Sequence, residues 1–103
     1  MSGSGGSFTP DKTSCDSVDF DLKVSSPQPS VSQKVSVGDL LDINIVEVNN
    51  IQALVFIWNG EILGGITGGR GDTLSKCLRL GYKFQGEIIS IDMASITVNV
   101  KNK

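Results

Sequence analysis

Residues 40–66 read LLDINIVEVNNIQALVFIWNGEILGGI, and the reading of this stretch decides the fold. Leu41, Ile43 and Ile45 alternate with Asp42 and Asn44, the period-two spacing of a strand with one face on a core. The phase blurs at Val46 and Val48, as it does at a bulge or where both faces are covered. Asn49-Asn50 follows, a pair that tolerates positive φ in a turn. Residues 51–58, IQALVFIW, are the most apolar run of the chain and read as a central strand. Asn59-Gly60 is the strongest two-residue hairpin signal present. The chain returns through 61–66, EILGGI, and Gly64, Gly65, Gly68 and Gly69 then fall within six residues. Glycines so placed mark sharp curvature or close backbone approach, as at the corner of a small barrel.

The flanking segments extend this pattern. In VDFDLKV (18–24), Val18, Phe20, Leu22 and Val24 share one face and Asp19, Asp21 and Lys23 the other, which predicts a half-buried strand. SSPQPSVS (25–32) stops it, since Pro27 and Pro29 remove donors and restrain the backbone; an extended loop or strand edge is expected. Gly38-Asp39 is a turn signal. TLSKCLRL (73–80) is the one convincing helix. Leu74, Cys77 and Leu78 form its apolar stripe, Asp72 is the expected N-cap and Gly81 the terminator. FQGEIISI (84–91) and SITVNV (95–100) read as two last strands, with a turn at 92–94. The expected fold is mainly β: a small curved sheet or closed barrel of five to seven strands with one short helix. Beyond Met1, residues 1–14 hold one large apolar side chain, Phe8, and read as a flexible arm; residues 15–103 read as a single small β-barrel-like domain.

No stretch approaches the roughly 20 apolar residues of a membrane span. With no recognisable signal peptide either, the expectation is a cytoplasmic protein without a membrane partner. The two cysteines, Cys15 and Cys77, can be joined, but their spacing does not require it; Cys77 reads as a small buried apolar residue. Histidine is absent, so a metal site would draw on two thiolates and carboxylates, a poor zinc set. No metal and no cofactor are expected.

Acid–base chemistry lacks a natural group near neutrality for the same reason. The carboxylates Asp39, Asp42, Glu47, Glu61, Glu87 and Asp92 read as solvated turn and strand positions, and no catalytic residue is assigned. ILGGITGGRGDTLSK has the glycine density of a phosphate-binding loop but neither of its standard spacings, and Arg70-Gly71-Asp72 reads as a turn. Charge is uneven: residues 1–69 carry three basic and eight acidic side chains, residues 70–103 six and three. Arg70, Lys76, Arg79 and Lys83 therefore form a candidate surface for phosphates or another anion, with Trp58, Tyr82, Phe84 or Phe56 as candidate stacking rings.

The order of strand, polar turn, glycine-ended strand, leucine-containing helix, glycine, aromatic and final β-pair in ALVFIWNGEILGGI and DTLSKCLRLGYKFQGEIISI resembles HIRAN domains. These are small β-barrels of bacterial and phage proteins and of some DNA-repair helicases, and the similarity spans residues 51–91. The resemblance implies a barrel that binds single-stranded DNA, with Ile62–Ile66 as the strand before the helix and Leu74–Gly81 as the helix with its terminator. Asn49-Asn50-Ile51-Gln52-Ala53 stands where the family carries Glu-Pro, Asn and Asp at its binding surface. The leading expectation is therefore a non-catalytic protein-interaction or assembly module, an accessory subunit of a microbial or mobile-element system. It would meet a protein partner or its own copy through a strand edge or apolar patch. Single-stranded nucleic-acid binding is the alternative.

Overall fold

The computed structural model describes residues 15–103, so the arm expected at 1–14 lies outside the described residues. The strands are β1 (Asp19–Lys23), β2 (Leu40–Val48), β3 (Ile51–Trp58), β4 (Glu61–Gly65), β5 (Phe84–Asp92) and β6 (Ser95–Asn102). They form one antiparallel six-stranded sheet in the order β1-β6-β5-β2-β3-β4. Among the described residues the helices α1 (Pro29–Ser32) and α2 (Gly69–Arg79) accompany it.

The turns work as their residues dictate. Asn49 and Asn50 have φ of 53° and 65°, and Asn59 and Gly60 of 49° and 83°, the positive pair that matches a two-residue turn to strand twist. Val48 accordingly pairs with Ile51, and Trp58 with Glu61. One strand irregularity falls at Leu63 in β4, between the Phe56–Gly64 and Ile57–Ile62 pairs. Another falls at Ile89 in β5, between Ile88–Val98 and Ser90–Thr97. Bulges of this kind bend a strand, and here they help curve the sheet.

The sheet is curved rather than closed, so of the two expected architectures the barrel does not form. Its two edges meet at one point. Ser25, just past β1, exchanges backbone hydrogen bonds of 2.9 and 2.8 Å with Gly65 at the end of β4, and the Gln28 N–H donates to the Leu63 carbonyl at 2.8 Å. Gly64 permits this approach. A Cβ there would collide with the Val24 side chain and stand 2.9 Å from the Ser25 carbonyl oxygen.

The core occupies the inner face of this curve. Leu41, Ile43, Leu54, Phe56, Leu63, Ile88, Ile96, Val98 and Val100 come from the strands, and Leu74 and Cys77 from α2. The predicted alternation in β6 is thus buried as its spacing requires, and of the predicted helical stripe Leu74 and Cys77 are buried and Leu78 half-buried against them.

Four local expectations change. The helix begins at Gly69, not at residue 73. Glycines are poor helix formers, but Gly71 is buried, and a Cβ there would stand 3.3 Å from Ile66, so packing overrides propensity. Asp72 consequently sits inside the first turn and does not cap it; Gly68 is the N-cap, and the Asp72 N–H donates to the Gly68 carbonyl at 3.1 Å. The 25–32 segment is not all extended, because Pro29 starts a helical turn that buries Val31. Cys77 is buried as expected, but as half of a disulfide with Cys15 across a sequence separation of 62. The C-terminal end of α2 matches expectation. Gly81, at φ 102°, donates to the Leu78 carbonyl and Tyr82 to the Cys77 carbonyl, the double bond that ends a helix on a left-handed glycine.

Candidate functional site

α2 ends beside the place where β2 leaves β5. The two strands pair only over Leu40–Glu87, Leu41–Gly86 and Asp42–Gln85, whereas β2 stays paired with β3 to Val48. A cleft of about 470 Å³ opens there. Ile43, Ile45, Ile57 and Leu78 contribute its apolar lining, and Arg79, Lys83 and Lys103 give it a basic rim.

The cleft gathers part of the predicted basic surface. Arg79 lines it and donates from Nη2 to the Gln52 Oε1 at 2.9 Å, tying the end of α2 to the start of β3. Lys83 lines it too, and its carbonyl accepts the Lys103 N–H at 2.9 Å. Arg70 lies at the other end of α2. Its Nη1 donates to the Asp21 carbonyl at 3.0 Å and its guanidinium stands 5.0 Å from the centre of the Phe20 ring, so it caps the outer edge of β1. Lys76 is exposed on α2, outside the cleft lining. The four cations therefore do not form one surface, because an eleven-residue helix separates its first-turn Arg70 from its last.

The predicted rings divide similarly. Phe84 touches the cleft but is 2% exposed, so its face is spent on the core. Phe56 is a core residue, and Trp58 is half-buried against the core at the far end of β3. Only Tyr82 reaches the cleft with surface to offer. Partial desolvation, then the charge and hydrogen bond of the Asp16 carboxylate, raise its phenol above the ordinary value. Lys103 completes the rim and pairs with Asp42 at 3.6 Å. Sequence reasoning missed it because its proximity to Lys83 comes from the last pair of the β5–β6 ladder, Phe84–Asn102.

A second feature lies on the outer face of the sheet. In the β2–β3 register, Val46 faces Ala53 and Val48 faces Ile51, while Ile57 and Ile62 pair across β3 and β4. Period-two alternation puts these side chains and Val55 on the face opposite the core. Ile51 is 68% exposed, Val48 45% and Ile62 38%. Val55, Val48 and Ile62 also line a broad concavity of about 740 Å³ between β4 and the 25–31 segment. The loss of alternation at Val46 and Val48 was the signal of this face in the sequence, since the apolar positions of β2 switch there from the inner face of Leu41, Ile43 and Ile45 to the outer one.

Among the described residues, no three cysteines or carboxylates gather into a metal-sized group. No helix among them is long and apolar enough to cross a membrane. No family model, no curated protein and no solved structure matches this chain.

Proposed function

We propose that this chain is a non-catalytic interaction and assembly module that pairs with a second copy of itself through the outer face of β2, β3 and β4. The observation that carries this reading is the continuous stripe Val46, Val48, Ile51, Ala53, Val55, Ile57 and Ile62 on one side of a three-stranded ribbon. Its exposed members, Ile51, Val48 and Ile62, favour association, because burial removes them from water. The stripe itself holds no charged side chain, with Asp42 and Glu61 at its margins.

Sedimentation velocity at micromolar concentrations tests this. The wild type is expected to run as a dimer and Ile51→Asp as a folded monomer. A wild type that stays monomeric at 100 µM or so would overturn it.

The single-stranded nucleic-acid reading of HIRAN type draws on Arg79, Lys83, Lys103 and Tyr82 at the cleft. It is the weaker one, since Arg70 and Phe84 are engaged elsewhere and Asp16 sets a carboxylate beside the one accessible ring. The disulfide bears on location. It favours an oxidising compartment over the cytoplasm expected from the sequence, because cytosolic thiols are held reduced.

A further inference from the structure

The cleft beside β2 offers a backbone edge as well as side chains. β2 has no strand on its β5 side beyond Asp42. The Ile45 N–H shows where that edge faces: it donates to the side-chain oxygen of Asn44, its own neighbour, at 2.9 Å. An amide satisfied this way is not engaged in the ladder to β3. Two residues on, the Glu47 N–H points to the same open side, because backbone direction alternates along a strand. The two outermost strands are each met at particular points. Arg70 covers β1 at Asp21, and the 25–28 segment covers β4 at Leu63 and Gly65.

We propose that this edge, from Ile43 to Val48, accepts an extended acidic segment of a partner protein as an added strand. Main-chain hydrogen bonds to the edge would supply affinity, and the cleft would select the side chains. Ile43, Ile45 and Leu78 give the segment an apolar bed, and Arg79, Lys83 and Lys103 line the cleft against Asp42, with Asp16 beside Tyr82 and Glu47 at the far end of the edge as the other nearby carboxylates. Asp42 is already paired with Lys103. Alternate residues of an added strand fall on opposite faces, which suits a sequence alternating apolar and acidic residues. The proposal does not rest on self-association, because it uses the backbone edge of β2 and the cleft side chains, sharing with the outer stripe only the β2 backbone at Val46 and Val48 and the cleft-lining Ile57.

The test is fluorescence polarisation with labelled octapeptides alternating valine with glutamate or valine with lysine, and with an eight-nucleotide oligothymidylate. Amide shifts in a nitrogen–proton correlation spectrum locate the contact. The glutamate peptide is expected to bind, with the largest shifts at Ile45 and Glu47. Lys83→Glu with Lys103→Glu, both at exposed positions, is expected to weaken it on the order of tenfold or more. Glu47→Pro, which removes an edge donor and leaves the β3 ladder intact, is expected to weaken it as well. Circular dichroism confirms that each variant is folded, and the same titration on Ile51→Asp separates this site from the outer face. Equal binding of the lysine peptide, tighter binding of the oligothymidylate, or shifts confined to Ile51 and Ile62 would each overturn the proposal.

Discussion

The two halves of one sheet face water in opposite ways. On β1, β6 and β5 the outward positions are mostly polar, Asp19, Asp21, Lys23, Thr97, Asn99, Lys101, Gln85, Glu87 and Ser90, with Ile89 exposed at the β5 bulge. Asn99 holds this half together by donating to both Asp19, at 3.0 Å, and Asp21, at 2.9 Å. On β2, β3 and β4 the outward positions begin polar, at Asp42 and Asn44, and from Val46 to Ile62 are mostly aliphatic. The inner faces do not differ in this way, since both halves supply core residues. The second apolar face on β2–β3–β4 is used in part by the fold, since Val55 is buried, and its exposed members Val48, Ile51 and Ile62 are the part surplus to folding. Burying a Val or Ile side chain contributes about 1.5–3 kcal/mol, so this surplus is a reserve for association.

Breaking the link between the halves should have the largest effect. The disulfide joins Cys15, whose carbonyl accepts from Asn102 of β6, to Cys77 on the helix that packs over β2. Replacing both cysteines by alanine, or reducing them, is expected to cost about 4 kcal/mol for a closed loop of this length. A urea midpoint measured with and without reductant checks it. Opening the seam comes next. Gly64→Ala forces a methyl against Val24 and the Ser25 carbonyl, where the β1 and β4 edges meet, and should cost about 1–3 kcal/mol by thermal or urea unfolding.

A smaller change sharpens the contrast on the polar half. Asn99→Ala removes two exposed hydrogen bonds to aspartates and is expected to cost about 0.5–1.5 kcal/mol, without changing the sedimentation coefficient. The smallest effect on stability belongs to the variant with the largest effect on assembly. Ile51→Asp should shift the monomer's unfolding free energy by no more than about 0.5 kcal/mol, because Ile51 lies outside the core. A large loss of stability there would mean that the outer face serves folding, and the contrast would fail.

Most of the fold was legible because it is local. Leu41 with Ile43, and Ile96 with Val98 and Val100, declare their face by spacing, and Asn59-Gly60 and Gly81 declare a turn and a helix end by conformational permission. The candidate site was legible only in part. Arg79, Lys83 and Tyr82 meet at the cleft because they straddle the end of one helix, while Arg70, on its first turn, is carried to β1. The start of α2 was missed because Gly69 and Gly71 have no helical preference of their own; contact with Ile66 settles it.

The sequence by itself determined which faces of the strands are apolar, where the chain turns and where the helix stops, since each of these depends on residues a few positions apart. Tertiary structure alone decided that β5 pairs with β2, that Ser25 reaches Gly65, that Cys15 meets Cys77 and that β2 keeps an open edge beside Lys83 and Lys103. Those contacts join segments far apart in the chain, and their free energy comes from packing the whole curved sheet at once, which no local pattern encodes.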